Sequence, residues 1–347
     1  MYVDLSLGVV YLGTRGAGAQ LSLDLLEKFE LKGITCSVLI NSFNEIANKY
    51  PSSKITTFRG YRNKIFYLLP TAHKRLFFNE FLEDLLKKKI QYVVFTMHHP
   101  FNLQFMTKLR QHGVKIIVLA HDVQTHPGEY WPTEKFLEKY YSQADLIICL
   151  SSFVHKKLLD KNYNSVLSKL PSETKLVMNS IQIPETYCLF VGRIKKYKGL
   201  NVLLKAWAQV DQPKVKLVIA GEGRVPRRAF NLKNVFVLNK WLNHSEIHNL
   251  VAHSSFVILP YKEASQSGIL KIAEVYEKAC LVTPVGALPE YKNSGLPCIV
   301  ANSTDKKSIF GALCSALDGN WVVAERKSTP KSVESIIHEV LCVDMQF

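Results

Sequence analysis

The chain has 347 residues, 47% apolar and 21% charged, a length that exceeds one ordinary domain and a balance that excludes a disordered or fibrous protein. No run approaches the roughly 18–20 continuous apolar residues of a membrane-spanning helix, and residues 1–4 carry no basic leader, so the expected location is the cytoplasm. The formal charge of +15 is shared by the first 180 residues and the remainder, with no nucleic-acid-binding motif beside it. It fits a phosphate-rich substrate or an anionic membrane surface, or else a lysine-rich solubilising surface, and not nucleic acid.

In chain order, a buried strand is expected over 8–12, a helix over 20–31 and a strand over 35–40. Residues 73–89 form an amphipathic helix with basic ends, which reads either as a packed Rossmann-type helix or as one lying on an anionic membrane. Strands follow at 92–96, 116–120 and 146–150. After a polar stretch over 160–184 the pattern restarts with strands at 187–191, 216–220, 235–238 and 256–259, a helix at 270–278 and a strand at 280–284. Residues 331–343 place apolar side chains at helical spacing. Such βα alternation is that of α/β domains with parallel sheets. The expected organisation is a Rossmann-like domain over 1–180, a second over 181–327 and a closing helix and tail over 328–347, with the linker near 172–185. Seven cysteines (Cys36, Cys149, Cys188, Cys280, Cys298, Cys314 and Cys342) form no CxxC pair and read as reduced thiols.

Four segments of the second domain repeat one device, a buried strand that ends at a glycine turn. Residues 190–200, FVGRIKKYKGL, deliver Arg193 and Lys198 past Gly192, and a fork of donors beside a mobile point charge suits a diphosphate. Residues 217–223 reach Gly221, where a missing side chain lets backbone approach a ligand. In residues 257–270, the loop with Glu263, Ser265, Gln266, Ser267, Gly268 and Ile269 precedes a helix whose unpaired amides offer an anion seat. Residues 281–290, LVTPVGALPE, form the fourth. Beyond the carboxyl ends of parallel strands is where open α/β sheets bind ligands.

In the first domain, residues 11–19 hold Gly13, Gly16 and Gly18 in a G-x-x-G-x-G spacing that departs from the dinucleotide fingerprint, and Asn41 stands where an acid would end the next strand. Both departures argue against a nucleotide-binding oxidoreductase. The strand at 116–120 releases His121, Asp122, His126 and Glu129 into one loop, and His98 and His99 follow an earlier strand. These histidines and Asp122 are of metal-ligating type as well as being ordinary polar contacts.

The order G-R-x-x-x-Y-K-G-L, A-G-x-G, P-Y-x-x-A-S-Q-S-G and P-V-G-x-L-P-E over 187–295 resembles the retaining GT-B glycosyltransferases of the GT4 type, above all those that build bacterial capsule, lipopolysaccharide or exopolysaccharide. The resemblance implies two Rossmann-like domains facing across a cleft and transfer of a sugar, with retention, from a nucleotide-diphosphate donor to a hydroxyl of a lipid-linked or growing saccharide acceptor. It implies no metal or other cofactor, and a cytoplasmic enzyme that can sit on the inner face of the plasma membrane. It puts Arg193 and Lys198 on the donor diphosphate and Ser267, Gly268 and Ile269 on phosphate and sugar. Gly16 and Gly18 become donor candidates, and His121 a contact to the donor sugar. His126, Glu129 and Asp122 are acceptor-side candidates, and Trp241 and Leu242 are candidates to flank the nucleobase. Many relatives carry two glutamates eight positions apart, which fall here on Ser265 and Ala273; Glu263 and Glu274 lie out of register. An altered donor contact is the expected consequence, and a non-catalytic partner subunit of the same fold the alternative.

Overall fold

The structure, a computed structural model, describes residues 5–14, 17–44, 55–58, 72–169, 175–176, 183–211 and 215–343. They form two units. The first comprises residues 1–124, 132–171 and 330–347, and the second 125–131 and 172–329. Two local segments therefore lie with the other unit than chain order suggests: 125–131 packs with the second, and the C-terminal helix with the first. The linker expected at 172–185 falls largely outside the described residues, which omit 170–174 and 177–182.

The first unit contains β1 (Ser6–Tyr11), α1 (Ala17–Leu31), β2 (Thr35–Asn41), β3 (Ile55–Phe58), α2 (Ala72–Lys87), β4 (Tyr92–Phe95), α3 (Asn102–Gln111), β5 (Lys115–Ala120), α4 (Glu134–Tyr141), β6 (Leu146–Cys149), α5 (Ser152–Leu159) and β7 (Ser165–Leu167). Its seven strands are all parallel, in the order β3-β2-β1-β4-β5-β6-β7. Its strands β1, β2, β4, β5 and β6 read as largely apolar runs because both faces are covered. Val10, Phe95, Val118 and Cys149 share one core with α2 to α5, while Val9, Val94, Leu119 and Ile148 share the other with α1.

In the second unit, β8 (Tyr187–Val191), α6 (Leu200–Trp207), β9 (Lys216–Ala220), β10 (Val235–Leu238), α7 (His244–His253), β11 (Phe256–Leu259), α8 (Gly268–Val275), β12 (Ala279–Val282), β13 (Cys298–Val300) and α9 (Lys306–Leu317) build a parallel sheet ordered β10-β9-β8-β11-β12-β13. The chain ends in α10 (Val333–Val343), whose Val333, Ile336, Ile337 and Leu341 join Leu25 and Phe29 of α1 in the first unit's core. Ser168 Oγ donates to the Lys331 carbonyl at 3.1 Å and fixes the returning chain. Both units are thus Rossmann-like, with a terminal helix, as the resemblance led us to expect. Strand order reverses between β1 and β4 in one sheet and between β8 and β11 in the other.

The helix expected over 73–89 is α2. Its Phe78, Phe81, Leu82 and Leu85 are buried in the core, which makes this stretch a packed helix; side chains of residues 72–77 lie outside the described residues. Among the described residues no helix is long and apolar enough to cross a membrane. Phe105 anchors this face of the sheet, with its ring 4.6 Å from Phe78, 5.8 Å from Phe81 and 6.0 Å from Phe95. Replacing it by alanine leaves a cavity among three rings, and Phe105→Ala is expected to cost about 3–5 kcal/mol in denaturant unfolding, far more than an exposed substitution such as Lys135→Ala.

Candidate functional site

At the reversal point of the second sheet, β8 runs out at Val191 into Gly192 (φ 115°) and the exposed Arg193, which makes no ion pair among the described residues. Ile194 N donates to the Glu222 carbonyl at 2.8 Å, so the turn after β8 lies against the turn after β9. Gly221 (φ 140°) is the point of contact: a Cβ there would collide with the Gly192 carbonyl. A short helical turn, Lys196–Lys198, then ends at Gly199 (φ 71°), where a Cβ would collide with the carbonyl of Pro260. These two glycines are required by backbone-to-backbone approach.

That approach lets the first motif dock onto the third. Lys262 N donates to the Tyr197 carbonyl at 2.7 Å. The Lys198 ammonium donates to Tyr261 Oη at 3.0 Å and lies 4.8 Å from the centre of its ring. Thr283 Oγ1, just past β12, donates to the Tyr261 carbonyl at 2.6 Å and fixes that residue in turn. A cation is therefore held in place by an aromatic face and a hydroxyl before any ligand arrives. Nothing in the sequence reading singled out Tyr261 or Thr283, although Tyr261 stands within the P-Y motif that carried the resemblance.

Seven residues after Tyr261, α8 begins. Its N-cap, Ser267, is extended and makes no side-chain cap bond, and a Cβ built on Gly268 would meet nothing within 4 Å. The first turn of α8, with the positive end of the helix dipole, is thus open at the Gly268 Cα and lies at the strand-order reversal that also carries Arg193 and Lys198. The helix starts two residues before the expected 270 because Gly268 and Ile269 already adopt its first turn. Ser265 is buried and Gln266 partly so. Ala273 is fully buried in the core and its out-of-register neighbour Glu274 pairs with Lys271 at 2.8 Å, so neither Ser265 nor Ala273 supplies the carboxylate of the two-glutamate pattern.

Glu263 lies elsewhere than expected of a lone donor contact: its Oε1 is 3.1 Å from His126 Nδ1. The His126 ring stacks on Tyr197 at 4.7 Å and 14°, and Glu129 pairs with Lys195 at 2.9 Å. His126 and Glu129, read from sequence as acceptor-side candidates, are thereby attached to the loops that carry Arg193, Lys198 and Glu263. Leu242, paired with Trp241 as a nucleobase flank, is buried in the hydrophobic core, so only the partly buried Trp241 retains surface for that contact.

In the first unit, His121 follows β5 and is buried, its Nε2 2.8 Å from the Thr96 carbonyl at the end of β4. Burial lowers its pKa against the opposing pull of Asp122 and of that carbonyl. His99 Nδ1 accepts from Phe101 N at 3.3 Å, and burial, with His98 adding to it, pushes its pKa down to about 3. Both rings are neutral hydrogen-bonding groups near neutral pH. Asp122 uses its main-chain carbonyl to accept from Tyr141 Oη. Gly18 packs under the Tyr11 ring, where a Cβ would come within 2.7 Å, so close packing already accounts for this glycine. Gly16 lies outside the described residues. Among the described residues no group of three or more His, Cys, Asp or Glu side chains is placed to hold a metal ion.

Residues 185–319 match the family model described as glycosyl transferases group 1, and residues 89–167 match the N-terminal domain of glucosyltransferase 3-like proteins. The group 1 match lies within the second unit. A Bacillus subtilis (strain 168) protein described as the uncharacterized glycosyltransferase YqgM is 29% identical over 40% of this chain and 44% of its own length. An uncharacterized 41.2 kDa protein in the cps region of Klebsiella pneumoniae is 26% identical over 54% and 59% respectively. The chain thus spans about half the length of the curated relatives it matches. Among solved structures, sucrose-phosphate synthase from Thermosynechococcus elongatus matches with a TM-score of 0.70 at 14% identity, covering 91% of this chain and 90% of its own. Anabaena HepE in complex with UDP-glucose matches with a TM-score of 0.67 at 12% identity, covering 91% of each chain. These likenesses show the fold, which is GT-B-like.

The neutral histidines give a pH signature. An unfolded histidine takes up a proton below about pH 6.5 while the folded His99 and His121 do not, so stability is complete above that pH and falls as pH drops below it, down to about 3 for His99. Each contributes a slope of up to about 1.4 kcal/mol per pH unit. Urea unfolding between pH 7.5 and 5 is expected to show this decline and His99→Gln to flatten it; a stability unchanged over that window would contradict the neutral assignment.

Proposed function

We propose that the chain is a glycosyltransferase that moves a sugar, with retention, from a nucleotide-diphosphate donor to a hydroxyl of a lipid-linked or growing saccharide. The observation that carries this reading is the Lys198 ammonium fixed on Tyr261 at the same strand-order reversal as Arg193 and the open first turn of α8. When the bond between the anomeric carbon and the diphosphate oxygen breaks, negative charge grows on the leaving diphosphate. Arg193 and Lys198 supply positive charge there, and the amides of Gly268 and Ile269 supply aligned dipoles, all in place before the reaction. That arrangement does the work a divalent cation would do, and the reading includes no metal or other cofactor.

The group 1 match over 185–319 supports the transferase reading, and the UDP-glucose complex of HepE supports a nucleotide sugar as donor. His121 holds the donor sugar, its orientation set by the Thr96 carbonyl. Gly192, Gly221, Glu263, Ser265, Gln266, Ser267 and Trp241 complete the donor side in this reading. The cps-region relative supports a polysaccharide product, and the net charge of +15 suits a cytoplasmic protein that works against the anionic inner face of the plasma membrane. A second reading, a non-catalytic partner subunit, is favoured by one observation: Ser265 and Ala273 occupy the positions of the two glutamates.

A charge-assisted contact to phosphate is worth roughly 1.5–3 kcal/mol, so Arg193→Ala and Lys198→Ala are each expected to weaken nucleoside diphosphate binding by about 10- to 100-fold in calorimetry. Purified wild-type protein is expected to release nucleoside diphosphate steadily from its nucleotide sugar, and both variants to lose that release. Normal affinity in both variants would remove the diphosphate assignment. Tight binding without turnover across a nucleotide-sugar panel would favour the partner subunit.

A further inference from the structure

A continuous line of side-chain contacts runs from the segment 125–131 to the lysine placed on the diphosphate. The His126 ring stacks on Tyr197 at 4.7 Å and 14°; Tyr197 meets Tyr261 edge to face at 6.3 Å and 83°; and Tyr261 holds the Lys198 ammonium with both its hydroxyl and its ring. Tyr197 is buried, with its carbonyl occupied by Lys262 N, so its ring is constrained by His126 and by Tyr261. His126 is itself held by Glu263 at 3.1 Å, and its segment is tied down by the Glu129–Lys195 pair at 2.9 Å. Three contacts of different chemistry, a ring stack, a hydrogen bond and an ion pair, thus bind this short segment to the loops that carry Arg193 and Lys198.

We propose that His126 is a positioning residue for the donor diphosphate, acting through Tyr197 and Tyr261 to keep the Lys198 ammonium aimed at the phosphates. The inference rests on the donor reading given above. The flat stack is what transmits the constraint, because a ring packed face to face resists the tilt of Tyr197 that would release Tyr261. Glu263 serves as the tether of His126 in this arrangement. That gives a carboxylate near the site a use even though Ser265 lacks one. The presence of Lys195, Lys196, Arg193 and Lys198 within six residues makes such restraint valuable: without it their mutual repulsion spreads the loop and dilutes the charge the diphosphate meets.

The test is a thermodynamic cycle on the full chain, read by calorimetric titration with inorganic pyrophosphate and with UDP, ADP, GDP, CDP and TDP. His126→Ala is expected to weaken binding about tenfold with the Tm little changed, and His126→Phe, which keeps a ring over Tyr197, to stay within about threefold of wild type. In a Lys198→Met background the same His126→Ala change is expected to have no more than about a twofold effect, because the group it positions is gone. An equal loss in both backgrounds would mean that His126 acts on the fold at large and would overturn the proposal, as would wild-type affinity in His126→Ala. If His126→Ala does not fold, the proposal stands or falls on whether His126→Phe binds as wild type. Absence of binding by wild-type protein to every probe would instead overturn the donor reading itself, and with it this role.

Discussion

The docking of the loop 193–199 onto the loop 260–263 is the interaction on which the candidate site depends. It needs a residue without a side chain at Gly199, since any Cβ there would occupy the place of the Pro260 carbonyl. Once the two backbones meet, Lys262 N finds the Tyr197 carbonyl and Lys198 finds Tyr261, so one close approach orders a cation, a hydroxyl and two aromatic rings. The chemistry follows from packing, and the packing from a single missing methyl group.

Sheet topology places that contact where it is useful. In a parallel sheet buried on both faces, irregular backbone is confined to the strand ends, and the loops after β8 and β11 meet beside the β8/β11 reversal. That end of the sheet carries Arg193, Lys198 and the first turn of α8. The first unit has the same reversal between β1 and β4, and among its described residues the neutral His99 and His121 follow β4 and β5. The two sheets thus share a plan.

Much of this was legible from sequence because the signals were local. Strands β8 to β11 were delimited residue for residue, each being a short apolar run closed by polar or glycine positions. The three strands that escaped notice, β3, β7 and β13, lie at sheet edges or are three to four residues long, and Thr56, Thr57 and Ser165 interrupt any apolar pattern. The return of α10 to the first unit was illegible for another reason: its apolar stripe states that it packs, and only the fold states against what. Leu242 shows the same limit, since an apolar residue beside Trp241 reads equally as a ligand contact or as core. Arg193 and Lys198 were legible as cations at a strand end. The Tyr261 cradle, His126 on Tyr197 and the Glu129–Lys195 pair join residues 63 to 71 positions apart, and no spacing rule connects them.

The most direct measurement is a crystal structure of the full chain with a nucleotide sugar bound. The account predicts diphosphate oxygens within hydrogen-bonding distance of Arg193, of Lys198 and of the Gly268 and Ile269 amides, with Lys198 still against Tyr261. A diphosphate seated at the glycine turn after β1, with Arg193 and Lys198 uninvolved, would contradict it.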